Sequence, residues 1–458
     1  MKLYSENKDY KLYQGNMLDM LEVIEPESID AVLTDPPYEL NFMSKSWDNS
    51  GIAFQKETWE KCYEVLKPGG YLLAFGGSRT FHRIACAIED AGFEIRDTIM
   101  WLYGSGFPKS LNIGLAIDKK NGIESKVVGT GKSGSTSKAF NLTEEQEKAG
   151  TGVLAGEYDL KEAQNEWNGW GTAMKPSYES IIVARKPFKG SLVDNVIEYG
   201  VGGINIDECR VETTDDLNGG AYRGKNTKQQ EDATSYYIKS PKLDGKEYNA
   251  PIGRFPANTI LTYDETNFDE VCGGFPNTKG FYRPNCKDKS YNQSSNIQLG
   301  GGNVSSQYND SGSASRYFYC AKASKKDRDE GLNQFENVSG ANITGRKEGS
   351  AGLVMEGGKQ NPYAGKASPN NKNTHPTVKP TELMQYLVRL VSPNGATILD
   401  PFNGSGSTGK AVMYENRERD KNYKYIGIEL TEEYLPISKA RIEYVCNLPK
   451  EDKQQSLF

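Results

Sequence analysis

Histidine is almost missing from this sequence. Only His82 and His375 occur in 458 residues, and they stand far apart. The seven cysteines are odd in number, scattered, and include no Cys-x-x-Cys pair. Together these shortages exclude a structural zinc site and a disulfide framework, and they point to reduced thiols in a cytoplasmic chain. No apolar run approaches the roughly 18 residues needed to cross a bilayer. Met1-Lys2-Leu3-Tyr4-Ser5-Glu6 is not a secretory signal, so no membrane partner is expected. Positive charge is not in excess either. With 55 Lys and Arg against 61 Asp and Glu, the net charge is −6, and binding a polyanion would require basic side chains gathered locally.

What is present is regular β/α alternation at both ends of the chain, around a polar, irregular middle. Ile29-Asp30-Ala31-Val32-Leu33 has the length and β-branched content of a buried strand. Thr34-Asp35-Pro36-Pro37-Tyr38 follows. Two prolines forbid both helix and ladder, so the chain leaves the sheet stiffly at its carboxyl edge, where ligands sit in open α/β sheets. Asp35 can accept one hydrogen bond from an NH2 group and the Pro36 carbonyl a second, while Tyr38 can stack on the attached ring. An exocyclic amine of a nucleobase suits this set; a Pro-Pro turn with an incidental acid is the plain alternative. Residues 39–54, with Phe42 and Trp47, read as a surface loop or lid.

Trp59, Cys62, Tyr63 and Leu66 fall on one helical face, and Lys67-Pro68-Gly69-Gly70 ends that helix. Tyr71-Leu72-Leu73-Ala74-Phe75 is a strand. Phe81, Ile84, Ala85 and Ile88 mark another helix, which carries His82 as a surface or satisfied residue, and residues 93–103 form a strand. Such repetition predicts a mostly parallel sheet with helices on both faces.

From about Asn112 the regularity fails. Segments 176–187, 256–262 and 316–322 look like strands returning to the core. Two basic clusters lie in this region: Lys279, Arg283, Lys287 and Lys289 interleaved with Phe275, Phe281, Tyr282 and Tyr291, and Arg316, Lys322, Lys325, Lys326 and Arg328 further on. Lysine and arginine neutralise phosphates and aromatic side chains stack against bases, although a solvated loop face explains either cluster taken alone.

Regularity resumes at residue 373. Residues 374–380 are a stiff polar loop, and Thr381 caps a helix with an apolar face of Leu383, Met384, Leu387, Leu390 and Val391. The strand 396–400 runs into Pro401-Phe402-Asn403-Gly404-Ser405-Gly406-Ser407-Thr408-Gly409 and a helix, and the strand 424–429 ends in Glu429. Strand, glycine-rich turn, helix, strand, acid is a nucleotide-binding arrangement in which Glu429 can accept ribose hydroxyls. Gly404-x-Gly406-x-x-Gly409 also matches the dinucleotide fingerprint formally, which keeps a nicotinamide dehydrogenase as the alternative. Asp19, near Gly15, reads locally as a first-turn acid.

Taken together, Asp35-Pro36-Pro37-Tyr38 and Asp400-Pro401-Phe402-Asn403-Gly404-Ser405-Gly406 resemble the beta-class DNA amino-methyltransferases, with the catalytic tetrapeptide first, the cofactor motif last and a long insert between. Residues 374–380 resemble that family's His-Pro-Thr-x-Lys-Pro element, residues 427–429 its ribose-binding strand end, and residues 15–21 its N-terminal Gly-Asp/Asn element. The resemblance implies a doubly wound, mostly parallel Rossmann-like α/β sheet. It divides the chain into a catalytic part at 1–111, a target-recognition insert at 112–372, the rest of the catalytic domain at 373–446 and a tail at 447–458. It implies S-adenosyl-L-methionine as cofactor, held by Asn16, Asp19, Asp35, Lys379, Asp400, Pro401, Phe402, Asn403, Gly404, Ser405, Gly406, Thr408 and Glu429. The catalytic set is Asp35, Pro36, Pro37 and Tyr38, and Lys279, Arg283, Lys287, Lys289, Lys325 and Lys326 are expected on double-stranded DNA. A cognate restriction endonuclease is allowed as partner, and the enzyme is expected in the cytoplasm with the nucleoid, as monomer or homodimer.

The Asp at the head of the tetrapeptide leans the resemblance toward adenine N6 over cytosine N4. RNA or protein-amide methylation is the more distant alternative. No cysteine follows a proline, which argues against a cytosine-C5 mechanism, and no nuclease core is recognised in the insert.

Overall fold

The computed structural model describes residues 2–40, 46–103, 110–133, 156–213, 253–262, 275, 277–278, 312–321, 325–338 and 372–449. In chain order these form β1 (Lys2–Glu6), β2 (Tyr10–Gln14), α1 (Met17–Leu21), β3 (Ile29–Thr34), α2 (Lys56–Val65), β4 (Leu66–Gly76), α3 (Phe81–Asp90), β5 (Glu94–Tyr103), α4 (Ile113–Asn121), β6 (Lys126–Ser133), β7 (Gly156–Glu162), β8 (Tyr178–Arg185) and α5 (Leu192–Tyr199). Then come β9 (Thr259–Thr262), β10 (Asn277–Thr278), β11 (Gly312–Ser313), β12 (Tyr319–Cys320), α6 (Lys325–Asp329), α7 (Thr381–Val391), β13 (Thr397–Asp400), α8 (Ser407–Glu418), β14 (Lys424–Glu429) and α9 (Leu435–Cys446).

Ten strands make one sheet in the order β1-β2-β14-β13-β3-β4-β8-β5-β9-β12. From β2 to β4 every pairing is parallel. β8 is wedged antiparallel between β4 and β5, and β1 closes the other edge antiparallel to β2. The sheet is Rossmann-like and doubly wound. Alternate residues of β4 show why: Tyr71, Leu73 and Phe75 pack with α7, α8 and α9 on one face, while Leu72 and Ala74 pack with α1, α2 and α3 on the other. All six residues of β3 are buried, as a central strand covered on both faces requires.

Several local expectations change. Lys67-Pro68-Gly69-Gly70 does not terminate a helix but begins β4, and Leu66 is the first residue of that strand. Backbone bonds exchanged with Lys186 hold Gly69 and Gly70 there, so the glycines serve the sheet rather than a cap. Order continues past Asn112, which caps α4 through its own side chain, and an antiparallel pair of strands, β6 and β7, lies beyond. Thr381 is not the cap of α7; it is the first helical residue, and its backbone N–H donates to Asp327 Oδ2 at 2.7 Å. The cap therefore comes from a carboxylate 54 residues earlier. Every residue of α7 except Glu382 is buried, and Arg389 on it forms a 2.6 Å ion pair with the fully buried Glu415 of α8. No described helix is long and apolar enough to cross a membrane.

Candidate active site

β3 and β13 are parallel neighbours, pairing Ala31 with Ile398 and Val32 with Leu399. From β13 the chain winds toward β14, and from β3 it winds the other way toward β4. Strand order thus reverses between them, which is where a doubly wound sheet opens a crevice at its carboxyl edge. The two motifs sit on these strand ends, and a buried hydrogen bond from Thr34 Oγ1 to Asp400 Oδ1, 2.7 Å long, joins them. Both line one cleft of about 1990 Å3. A single small ligand usually occupies roughly 300–1,000 Å3, so this cleft has room for two guests.

At the elbow, Asp35 Oδ2 accepts from Lys379 Nζ at 2.6 Å. Asp35 Oδ1 is sealed from solvent and has no hydrogen-bond partner. Burial pushes the Asp35 carboxyl above its ordinary range; the Lys379 ammonium opposes this and Glu179 adds to it. Tyr38 lies beside Asp35 but donates its hydroxyl to Glu179 Oε2 at 2.7 Å, which fixes the ring against the cleft wall.

At the turn, Gly404 and Gly406 adopt φ of +53° and +74°. The Asp400 carboxylate is consumed internally: Oδ1 accepts from Thr34 and from the Phe402 N–H, and Oδ2 from Thr408 Oγ1 at 2.6 Å. Asn403 is likewise committed, with its amide donating to Ser438 and accepting from Tyr425. These residues shape the turn rather than present free groups to a guest. Glu429 closes it, with Oε2 accepting from the Gly404 N–H at 2.6 Å and Oε1 from the Thr431 N–H at 2.8 Å. A carboxylate has about four lone-pair sites, so Glu429 can still accept from a ligand.

A family model described as DNA methylase, N6_N4_Mtase, matches residues 29–440. The chain belongs to that DNA methylase family. It is 34% identical over 108 residues to the type II methyltransferase M.HpaI of Haemophilus parainfluenzae, spanning 22% of this chain and 34% of that protein. To M2.LlaDCHI of Lactococcus lactis subsp. cremoris it is 24% identical over 234 residues, 44% of this chain and 82% of that protein. It thus spans only about a third of the first relative's length. The cytosine-N4-specific PvuII DNA methyltransferase aligns over 96% of this chain and 90% of its own, at 13% identity and a TM-score of 0.37.

Within this chain, Asn16, Asp35, Pro36, Pro37, Tyr38, Lys379, Asp400, Pro401, Phe402, Asn403, Gly404, Ser405, Thr408 and Glu429 all line the cleft. Two residues named from the sequence do not. Asp19 is exposed on α1, one turn past the point where Asn16 caps that helix, so Asn16 is the residue of the pair that faces the cleft. Gly406 is the cap of α8 and faces Ser438. Lys279, Arg283, Lys287 and Lys289 lie outside the described residues, and Lys325 and Lys326 open the short α6. Arg328, from the same basic cluster, turns inward: it donates to the Asn373 and His375 carbonyls at 3.1 and 2.7 Å and braces the loop that carries Lys379.

Two cleft residues, Glu179 and His375, escaped sequence reasoning as site candidates. Glu179 pairs with Tyr38 and lies 3.4 Å from Lys379. His375 stacks on Trp47 and meets Tyr434 edge-on at 4.6 Å; burial and surrounding cations pull its pKa down to about 3, so it is neutral. The one signal for Glu179 was an acid at the mouth of an otherwise apolar strand.

Two expected outcomes follow from the turn. A Cβ at Gly404 would lie 3.0 Å from His375 Nε2 and would sit on a left-handed backbone. Gly404→Ala is therefore expected to weaken binding of a nucleoside cofactor roughly tenfold, the effect of about 1–2 kcal/mol of left-handed strain, as read by calorimetry. Burial also pushes Glu429 up from 4.5 to about 7. A carboxyl raised on folding takes up a proton, so its contribution to stability is full below pH 4.5 and is lost as pH rises through about 7. Wild type should thus gain melting temperature between pH 7.5 and 6 relative to Glu429→Gln; parallel profiles would contradict this origin.

Proposed function

We propose that the protein transfers a methyl group from S-adenosyl-L-methionine to the exocyclic N6 amine of an adenine swung out of double-stranded DNA. One observation carries this reading: the unpartnered Asp35 Oδ1, at the strand end hydrogen-bonded to the glycine turn. A buried acceptor left without a donor costs roughly 1–3 kcal/mol, which an incoming N–H repays.

The residues present fit the cofactor. The left-handed turn at Gly404 leaves backbone close to the cleft, Glu429 offers a carboxylate suited to ribose hydroxyls, and Asn16 lines the same wall. When bound, S-adenosylmethionine supplies an electrophilic sulfonium methyl group. The chain's own part is to prepare the amine. That nitrogen is conjugated with its ring and is a poor nucleophile. Accepting its two N–H bonds at Asp35 Oδ1 and the Pro36 carbonyl draws it toward tetrahedral geometry and frees its lone pair. The Tyr38 ring, fixed by Glu179, replaces the stacking the base loses on leaving the duplex. Positioning and fixed charge supply the acceleration, and no covalent enzyme intermediate is needed.

The aspartate at the head of the tetrapeptide favours adenine over cytosine N4 by the family resemblance. Segments of 112–372 would read the DNA sequence, with a restriction endonuclease of matching specificity as a companion. Expression in a methylation-free host followed by single-molecule sequencing tests the reading. N6-methyladenine at one short sequence is expected, N4-methylcytosine would move the assignment to the other amine, and unmodified DNA would overturn it.

A further inference from the structure

The cleft holds a further carboxylate, Glu179, whose part in methyl transfer has so far been only to fix the Tyr38 ring. Glu179 stands at the mouth of β8, on the antiparallel strand beside β4, and lines the cleft with its side chain 19% exposed. Its Oε2 accepts the Tyr38 hydroxyl at 2.7 Å and lies 3.4 Å from Lys379 Nζ, and its Oε1 lies 3.4 Å from the Tyr103 hydroxyl. Lys379 is nearly buried, at 6% side-chain exposure, and is shared between two anions: Asp35 at 2.6 Å and Glu179 at 3.4 Å. Its ammonium also lies 5.3 and 5.0 Å from the ring centres of Tyr38 and Phe75.

The sheet does not need this charge. The middle of β8, Ser180-Ile181-Ile182-Val183-Ala184, is buried, and a neutral side chain at its mouth would avoid the cost of desolvating a carboxylate. The charge is instead placed to govern the two residues that meet the target base. A lysine given wholly to Asp35 would draw electron density from that carboxylate and weaken Oδ1 as an acceptor. A second anion on its far side divides the field. The same carboxylate holds Tyr38 by its hydroxyl and so fixes the plane of the ring.

We propose that Glu179 is a positioning residue for methyl transfer, acting through Lys379 to keep Asp35 a strong acceptor and through Tyr38 to hold the stacking face. This rests on the functional reading above. Among the described residues, the charged and titratable groups around Asp35 are Lys379 from the loop before α7, Glu179 from β8, Tyr38 from the elbow and Asp400 from β13. Burial raises the Asp35 pKa most, Lys379 lowers it and Glu179 raises it. Removing the Glu179 charge therefore makes Asp35 more acidic and a poorer acceptor.

The test is steady-state transfer of labelled methyl to duplex DNA by wild type, Glu179→Gln and Glu179→Asp, across pH. In Glu179→Gln kcat should fall roughly ten- to a hundredfold at neutral pH, the scale of a misplaced reacting group. Cofactor affinity should stay unchanged, and the acid limb of the kcat profile should move to lower pH. Glu179→Asp retains the charge and should return the limb toward the wild-type position. An unmoved limb in Glu179→Gln with an active wild type overturns this inference alone, as does a loss of kcat matched by lost cofactor affinity and melting temperature. A wild type inactive toward DNA overturns this inference and the functional reading together.

Discussion

Asp35→Ala is expected to reduce methyl transfer by about a thousandfold or more while leaving cofactor affinity within about threefold, as read by labelled-methyl transfer and calorimetry; the first figure is the scale for deleting a preorganised electrostatic contact. Asp35 Oδ1 is shielded and unpartnered, whereas the two oxygens of Asp400 are consumed within the protein and those of Glu429 already hold the turn. Among the described residues the other cleft carboxylates are also engaged: Glu179 with Tyr38 and Lys379, and Asp48 with the Glu39 and Leu40 N–H groups. The fold should survive the change, because Lys379 keeps Glu179 as a counter-charge and is not left buried alone. Asp35→Asn is the sharper variant. It preserves shape and one acceptor oxygen but presents an NH2 group where the amine must donate, so it too should be nearly silent. Loss of cofactor binding with chemistry intact would reverse the roles assigned to the two motifs.

The second large effect is expected at Glu429. Glu429→Ala removes a carboxylate that pins Gly404 and Thr431 and faces the cleft, so it loses both the shape of the turn and the acceptor for ribose. Hydrogen bonds to charged groups are worth about 1.5–3 kcal/mol, which predicts a roughly ten- to hundredfold weaker cofactor. With saturating cofactor kcat should recover most of its value, because nothing at the elbow has changed. Equal affinity by calorimetry would remove Glu429 from the cofactor site.

These two residues were legible because each is announced by its neighbours. Asp35 follows a strand buried at every position and precedes two prolines, and Glu429 ends a strand that itself follows a glycine turn. Local periodicity fixes such elements, and strand–turn–helix order places them at one edge of the sheet. What could not be read was made by long-range meetings. Glu179 acquires its meaning from Tyr38, 141 residues away, and Tyr103, 76 residues away. Asp327 and Arg328 sat in a stretch that looked like a basic surface, yet Asp327 caps α7 and pairs with the fully buried Lys410 at 2.6 Å, while Arg328 braces residues 373–375. Lys67-Pro68-Gly69-Gly70 misled for a related reason. Its composition says stop, but Gly69 and Gly70 are held by Lys186, just past the end of β8 and more than a hundred residues later in the chain. Asp19 and Asn16 were indistinguishable until the cap of α1 showed which of them the helix turns toward the cleft.

The central claim is geometric: the amine and the methyl donor meet in one cleft, on adjoining strand ends. A crystal structure with S-adenosylhomocysteine and a duplex carrying the target adenine tests it most directly. The account predicts the adenine outside the helix, its N6 within hydrogen-bond reach of Asp35 Oδ1 and the Pro36 carbonyl, its ring on Tyr38, and the cofactor ribose on Glu429. A cofactor seated away from the 401–408 turn, or a base held with N6 turned from Asp35, would contradict it.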